Sequence, residues 1–358
     1  MSKVYRVLGL MSGTSLDGID AAILETDGET IFGFGPAQTT LFSEETKANL
    51  STATQAALAW NFEGPAPNSL AQADWVVDNS HIGVIECLPE WTFDLIGYHG
   101  QTILHRPDKL KTLQLGKGES LANTFGRPVV YDFRSEDVNK GGQGAPLAPI
   151  YHKALVEWSK LEGVTAVLNL GGVGNITIVS RETLLASDTG PANGPLDSWL
   201  GEVDRDGVIS RKGEVDFARV DHWLERDFFK RSWPKSADRY DFDVLGEMKG
   251  MSREDGAATL CQFTASSVLH TLQQMQVRPD RLVVCGGGRH NRTILTILSL
   301  GLGCPVLPAE HYDWDSDAIE AQAFAYLAVR VLRGLPNSFP TTTGVPEPMV
   351  GGRIAYPV

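Results

Sequence analysis

The sequence predicts an α/β protein of two lobes around a ligand cleft, and three features carry that expectation. An apolar run, 4–11, enters a turn of glycines and hydroxyls, and a second apolar run, 19–24, leaves it. The unit recurs at 164–179, where a buried strand meets Gly171-Gly172-Val173-Gly174 and a returning strand follows. A third strand, 281–285, runs into Gly286, Gly287 and Gly288. Two strand–glycine turn–strand units, one opening each half, imply a duplicated architecture with two phosphate loops facing each other.

The first turn reads Met11-Ser12-Gly13-Thr14-Ser15-Leu16-Asp17-Gly18-Ile19-Asp20. Gly13 and Gly18 permit close approach of the backbone to a ligand, and Ser12, Thr14 and Ser15 add hydroxyls to exposed amides. That combination suits an anion, phosphate above all, or else an ordinary hairpin tip. No Gly-Lys-Ser/Thr sequence ends the turn and a strand follows it, so it is not a P-loop.

The following elements justify themselves in order. Residues 31–41 form one more strand, and Ser43 caps a helix to about 59 whose first turn is acidic. Gly64-Pro65-Ala66-Pro67 breaks the chain before a helix over 69–87. A short strand, 93–98, ends in His99-Gly100-Gln101-Thr102, polar residues where open α/β sheets place ligand groups. A turn with a satisfied histidine explains His99 equally well. Strands follow at 112–115 and 128–131. From 132 to 149 glycine, proline and charge replace apolar periodicity, as in a linker, an interdomain crossing or a mobile cleft loop; Arg134 stands out as a candidate site residue.

In the second half, a strand over 184–187 leads into Asp188, with a helix beginning near Asn193. An Asp at a strand end and before a helix either caps or reacts. Helical spacing covers 217–229 and 254–275. The triple glycine at 286–288 leaves amides at a helix N-terminus, open to a flat ligand or phosphate. The last clear helix opens on Asp317-Ala318-Ile319-Glu320, whose capping-box spacing gives Glu320 a structural reading.

Bulk properties narrow the function. The 358 residues are 42% hydrophobic and 21% charged, ordinary for a soluble globular chain of two domains. A formal net charge of −13 argues against nucleic acid and anionic membranes as partners. The first strand starts at once, no stretch is long enough to span a bilayer, and Cys87, Cys261, Cys285 and Cys304 lack metal spacing. They read as reduced core thiols of a cytoplasmic protein.

Three glycine turns in the order hairpin, hairpin, strand-to-helix resemble the phosphate-1, phosphate-2 and adenosine elements of the sugar kinase, actin and chaperone ATPase superfamily. The words at 11–20, His-Gly-Gln-Thr at 99–102, Asp-Phe-Arg at 132–134, and Gly-Gly-Gln-Gly-Ala-Pro-Leu at 141–147 narrow the match. So do 169–177, Asp-Thr-Gly-Pro-Ala-Asn at 188–193 and Cys-Gly-Gly-Gly-Arg-His-Asn at 285–291. Together they resemble the anhydro-N-acetylmuramic acid kinase family across almost the whole chain.

That resemblance implies an actin-like ATPase (ribonuclease H-like) fold with an interdomain active site. An N-terminal lobe would span 1–133, with the tail from about 340 to 358 packing back on it; a C-terminal lobe would span 134–339. It implies ATP and Mg²⁺ as cofactors and 1,6-anhydro-N-acetylmuramic acid as substrate. Nucleotide would contact Gly13, Thr14, Ser15, Leu16, Asp17, Gly18, Ile19, Asp20, Gly171, Gly172, Asn175, Gly286, Gly287 and Gly288. His99, Gln101, Arg134 and Asn193 would contact the sugar. Because the sugar has no free 6-hydroxyl, Asp188 would activate water to open the ring, with Glu320 positioning water or sugar. Arg134 would pair with the lactyl carboxylate. Many superfamily members place a metal-organising Asp where this chain has Met11, so Asp17 or Asp188 would act through water and the metal ligands stay open. Alternatives are a levoglucosan kinase and a non-catalytic sugar or nucleotide sensor; a homodimer is one assembly to test.

Overall fold

A computed structural model describes residues 2–88, 91–237 and 239–358. Its strands are β1 (Tyr5–Ser12), β2 (Gly18–Thr26), β3 (Ile31–Leu41), β4 (Leu95–Arg106), β5 (Lys111–Leu115) and β6 (Val129–Tyr131). They continue as β7 (Thr165–Leu170), β8 (Val173–Val179), β9 (Leu184–Pro191), β10 (Arg281–Cys285), β11 (Val306–Pro308) and β12 (Arg353–Ala355). The chain divides into two compact units, one of residues 1–158 with 317–358 and the other of 159–316.

The first unit's sheet runs β12-β6-β4-β1-β2-β3, with β5 paired to β4. The second runs β11-β10-β7-β8-β9. In both, an antiparallel three-strand meander opens the unit, and its first strand then pairs in parallel with a later one: β1 with β4, and β7 with β10. A further parallel strand follows in each, β6 beside β4 and β11 beside β10. The same order in both sheets is the duplication expected from the recurring glycine turns, and the fold is α/β as predicted.

The unit boundaries differ from the expected 133/134 and 339/340. Helix Ile319–Leu332 packs on β1, β2 and β4, which puts it in the first unit. Glycine makes this close packing physically possible: a Cβ at Gly9 would land on Ala321 O, and one at Gly97 on Phe324 O. With no side chain between them, helix and strand backbones touch, which fixes the helix that carries Glu320 against the sheet. We expect Gly9→Ala to push the helix off β1 and cost about 1–3 kcal/mol, read as a lowered urea midpoint. A midpoint equal to wild type would contradict this account.

Several elements follow their local signals closely. Ser43 caps helix Glu44–Trp60 by accepting from Thr46 N, and β3 has the predicted bounds. Others depart. β4 does not stop at Tyr98 but continues through His99–Thr102 to Arg106, because β5 supplies an antiparallel partner where β1 ends. Gly100, at φ +69°, makes the irregularity that this change of partner needs. The 217–229 segment breaks into helices Phe217–Leu224 and Asp227–Lys230. Helices at Gly118–Phe125, Ser135–Asn139 and Pro149–Trp158 were not predicted. Cys261 and Cys285 are core thiols as expected, whereas Cys87 is exposed and Cys304 half-buried.

The first unit's core also sets a pH dependence. Burial lowers the pKa of His81 and of His152 to about 4, and burial followed by the Arg134 charge takes His99 well below its usual value. The unfolded chain takes up these protons near pH 6.5 while the folded chain does not, so their contribution is complete above that pH. It is lost as pH falls toward about 4. We expect the urea midpoint to drop between pH 7 and pH 4.5, and His81→Leu to flatten part of that slope. A constant midpoint over this range would exclude the effect.

Candidate functional site

The first unit's candidate residues converge on the end of the β1–β2 hairpin. Leu16 N donates to Gly13 O at 3.2 Å, closing the turn, and Leu16 adopts φ +59°, a left-handed conformation that non-glycine residues seldom take. Thr14, Ser15 and Asp17 are exposed, and the Cβ direction of Gly13 meets only Ser15 Oγ at 3.6 Å. Gly13 therefore presents open backbone, as expected of an anion loop. Gly18 serves a different purpose: a Cβ there would strike Thr40 O on β3, so this glycine is needed for strand packing. Ser12 is likewise committed, its buried hydroxyl donating to Gly100 O at 3.0 Å. Ile19 puts its side chain into the core, leaving only its backbone at the hairpin.

Behind this turn, Gln101 donates from Nε2 to Gly13 O at 3.0 Å, which makes it a support for the loop. His99 stacks on Phe324 with ring centroids 4.5 Å apart. Arg134 donates to His99 Nε2 from Nε at 3.2 Å and Nη2 at 3.1 Å, and to Gly144 O from Nη1 at 2.7 Å. A guanidinium has no acceptor, so Nε2 is the accepting nitrogen and the neutral ring carries its proton on Nδ1.

Glu320 lies in the first turn of helix Ile319–Leu332. The helix takes Ala318 as its N-cap, one residue after Asp317. Glu320 retains exposed surface, yet dense surroundings that strip its hydration, then repulsion from Asp20, raise its pKa; Arg134 pulls the other way. Asp20 in turn accepts from Thr39 Oγ1 at 2.6 Å. His99, Arg134, Asp20 and Glu320 thus share one electrostatic neighbourhood.

Asp137, which the sequence reading passed over, shapes that neighbourhood. It is fully buried, accepting from Gly144 N at 2.6 Å and Thr343 Oγ1 at 2.5 Å. It thereby fixes the carbonyl that holds Arg134. Its only sequence signal was an acid beside a glycine-rich loop, which is too common to single out.

The second unit gathers the other candidates. Gly172 has nothing within 4 Å in its Cβ direction, so this turn is also open. The amides of Ala192 and Gly194 donate to Gly172 O, both at 3.2 Å, and Asn193 N donates to Gly171 O at 2.8 Å. Asn193 Nδ2 donates to Leu170 O at 3.1 Å, and a Cβ at Gly288 would lie 3.0 Å from Asn193 Oδ1. Asn193 therefore bridges the second hairpin and the triple glycine, beside the glycine turns expected to hold nucleotide. Gly286 has φ +74°, and its missing side chain makes room for Asn169 and Leu170. The helix after the triple glycine begins only at Arg292, where Asn291 accepts from Thr293 N and Ile294 N at 3.0 and 3.2 Å. That helix end is satisfied internally, while a 3₁₀ turn, Gly287–His290, opens directly on the triple glycine with no side-chain cap.

Asp188 lies within β9, opposite Asn175, and the strand runs on to Pro191 instead of ending at Asp188. It is 7% exposed, and its Oδ2 accepts from Ala237 N at 2.8 Å. The following helix, Asn193–Leu200, has Ala192 as N-cap and no side-chain cap, so Asp188 does not cap it. A second bond, Asp188 N to Lys235 O at 3.0 Å, lays residues 235–237 along β9. Among the described residues no group of three or more His, Cys, Asp and Glu could hold a metal ion, and no helix is long and apolar enough to cross a membrane. Mg²⁺ commonly binds through one or two carboxylates plus substrate phosphates, and the exposed Asp17 beside open backbone fits that manner of binding.

The family model described as anhydro-N-acetylmuramic acid kinase matches residues 5–357. A protein of that name from Rhizobium rhizogenes is 47% identical, covering 99% of this chain and 100% of its own. One from Phenylobacterium zucineum is 48% identical over 98% of this chain and 100% of its own. Among solved structures, component A of (R)-2-hydroxyglutaryl-CoA dehydratase from Acidaminococcus fermentans covers 92% of this chain and 98% of its own, at 14% identity and a TM-score of 0.42. A likeness that low adds nothing to the strand order. With the full-length family match, the chain belongs to the anhydro-N-acetylmuramic acid kinase family.

Proposed function

We propose that this protein is an ATP-dependent kinase that hydrolytically opens 1,6-anhydro-N-acetylmuramic acid and phosphorylates O6, giving N-acetylmuramic acid 6-phosphate. Such a product serves recycling of the cell wall and amino-sugar catabolism in the cytoplasm. The observation that carries the reading is the pair of open glycine turns at equivalent places in two sheets of the same strand order. Backbone amides at such turns bind phosphate without lysine or arginine, which suits a chain of net charge −13.

Asp188 accepts a proton from water as the water oxygen bonds to C1 of the sugar. The C1–O6 bond breaks, its electron pair stays on O6, and O6 takes the γ-phosphoryl group as ADP leaves. Held by the Ala237 amide, the Asp188 carboxylate keeps a set direction. Glu320 orients water or sugar, and Arg134 pairs with the lactyl carboxylate. Mg²⁺, carried by the nucleotide phosphates with Asp17 reaching it through water, would neutralise charge on the triphosphate.

Mass spectrometry of products from ATP with each anhydro sugar tests the proposal. The expected product has the mass of the sugar plus one water and one phosphoryl group. ATP consumed without that product, or sugar bound without turnover, would remove the reading in favour of an ATPase or a sensor. A faster reaction with levoglucosan than with the muramic sugar would transfer it to the relative. Sedimentation at micromolar concentration separates monomer from homodimer.

A further inference from the structure

Lys235 is a buried lysine, 3% exposed, in a stretch without regular secondary structure that runs beside β9. Its ammonium has three donors, and each finds an acceptor: Phe228 O at 3.1 Å, Arg231 O at 3.2 Å and Gln274 Oε1 at 3.0 Å. The same nitrogen sits 4.6 Å from the centre of the Phe228 ring. Burial, then the charge of Arg231, lowers its pKa to about 8, which leaves it an ammonium at neutral pH. All three hydrogen-bond partners are neutral oxygens, and burying a charge on such partners is costly. An apolar side chain of the same length would avoid that cost, so the charge points to a task other than packing.

The backbone of the same residue is tied to β9. Asp188 N donates to Lys235 O at 3.0 Å, and Lys235 N donates to Ser187 Oγ at 3.2 Å. Two residues on, Ala237 N donates to Asp188 Oδ2 at 2.8 Å. The side chain ties this segment in the other direction, to the end of helix Asp227–Lys230 and to the last residue of helix Arg253–Gln274. Gln274 is itself fixed, donating from Nε2 to Phe229 O at 2.6 Å. We propose that Lys235 is a positioning residue for Asp188: its ammonium clamps residues 235–237 against these two helices and so sets the Ala237 amide that directs the Asp188 carboxylate. The proposal rests on the reading of Asp188 as the base. A base misplaced by about 1 Å can cost about 10²-fold in rate, so the clamp has a kinetic consequence although Lys235 touches no reacting atom.

Lys235→Met keeps the length of the side chain and removes its three donors. With ATP and the muramic sugar at pH 7, kcat should fall about 10- to 100-fold while both KM values stay within about twofold of wild type. In the Asp188→Asn background the same substitution should lower kcat no further, because the group it positions is already disabled. Hydrogen exchange at the Ala237 amide should quicken about tenfold or more in Lys235→Met. An unchanged kcat, an equal fold-loss in the Asp188→Asn background, or unchanged exchange at Ala237 each overturns the proposal. Should circular dichroism show Lys235→Met unfolded, Gln274→Met, which deletes one acceptor of the ammonium, carries the same three readouts with a loss of about three- to tenfold in kcat. The two readings fail differently. If Asp188→Asn alone turns over like wild type, the base assignment fails and the positioning role with it; if Asp188→Asn is crippled and Lys235→Met is not, the positioning role alone fails.

Discussion

Asp188→Asn is expected to lower kcat by about 10²–10⁴-fold, the usual contribution of a general base, while leaving ATP and sugar binding near wild type. Asn is the informative replacement because of how Asp188 is held. Its Oδ2 accepts from Ala237 N, and an amide oxygen can keep that bond while the group loses the capacity to take a proton. Residues 235–237 should therefore stay along β9, anchored also by the Asp188 N to Lys235 O bond. The competing reading of Asp188 as a helix cap does not match the backbone: it lies on β9, and the helix after it takes Ala192 as N-cap. Rates measured alongside calorimetric binding decide the matter. A variant that turns over within a few-fold of wild type would end the assignment, and Glu320, a carboxyl whose pKa is raised by loss of hydration and by Asp20, becomes the candidate base.

Arg134→Ala should cost roughly 2–5 kcal/mol in kcat/KM for the muramic sugar, the range for stripping one partner from a buried charge pair. The loss on levoglucosan, which has no lactyl carboxylate, should be much smaller. The structure adds a second consequence. Arg134 holds His99 Nε2 and Gly144 O, so its removal also frees the His99 ring and the loop that Asp137 pins through Gly144 N. A part of the loss will therefore appear with both sugars, and the difference between them isolates the carboxylate. Equal losses on the two would mean that Arg134 works only as a strut. A thermal midpoint for the variant separates that outcome from simple unfolding.

Local sequence determined the repeating plan of this protein. Alternating and continuous apolar runs specified the strands of both meanders, glycine-rich words marked both turns, and Ser43 capped its helix where the spacing said it would. The family words named the candidate residues, although His99–Thr102 and Asp188 fall within strands and not at their ends. Signals that depend on a partner distant in the chain were illegible. β4 passes through His99–Thr102 because β5 meets it there, and no property of residues 99–102 alone announces that strand. Asp317–Glu320 has capping-box spacing, yet the helix begins two residues after Asp317, with Ala318 as its N-cap.

The same limit applies to charge and to glycine. Gly13 and Gly18 look alike in the sequence, yet one presents open backbone and the other admits β3. Gly9, an unremarkable residue within an apolar strand, decides where Glu320 stands by letting helix Ile319–Leu332 rest on the backbone of β1. Which residue types this chain can use for phosphate and proton chemistry was thus set by its own words, since the reactivity of a carboxylate or a glycine turn is local. Which of those groups lie in one neighbourhood, and which are spent on packing, was decided only by tertiary structure, because close approach, desolvation and hydrogen-bond partners are properties of segments brought together from far along the chain.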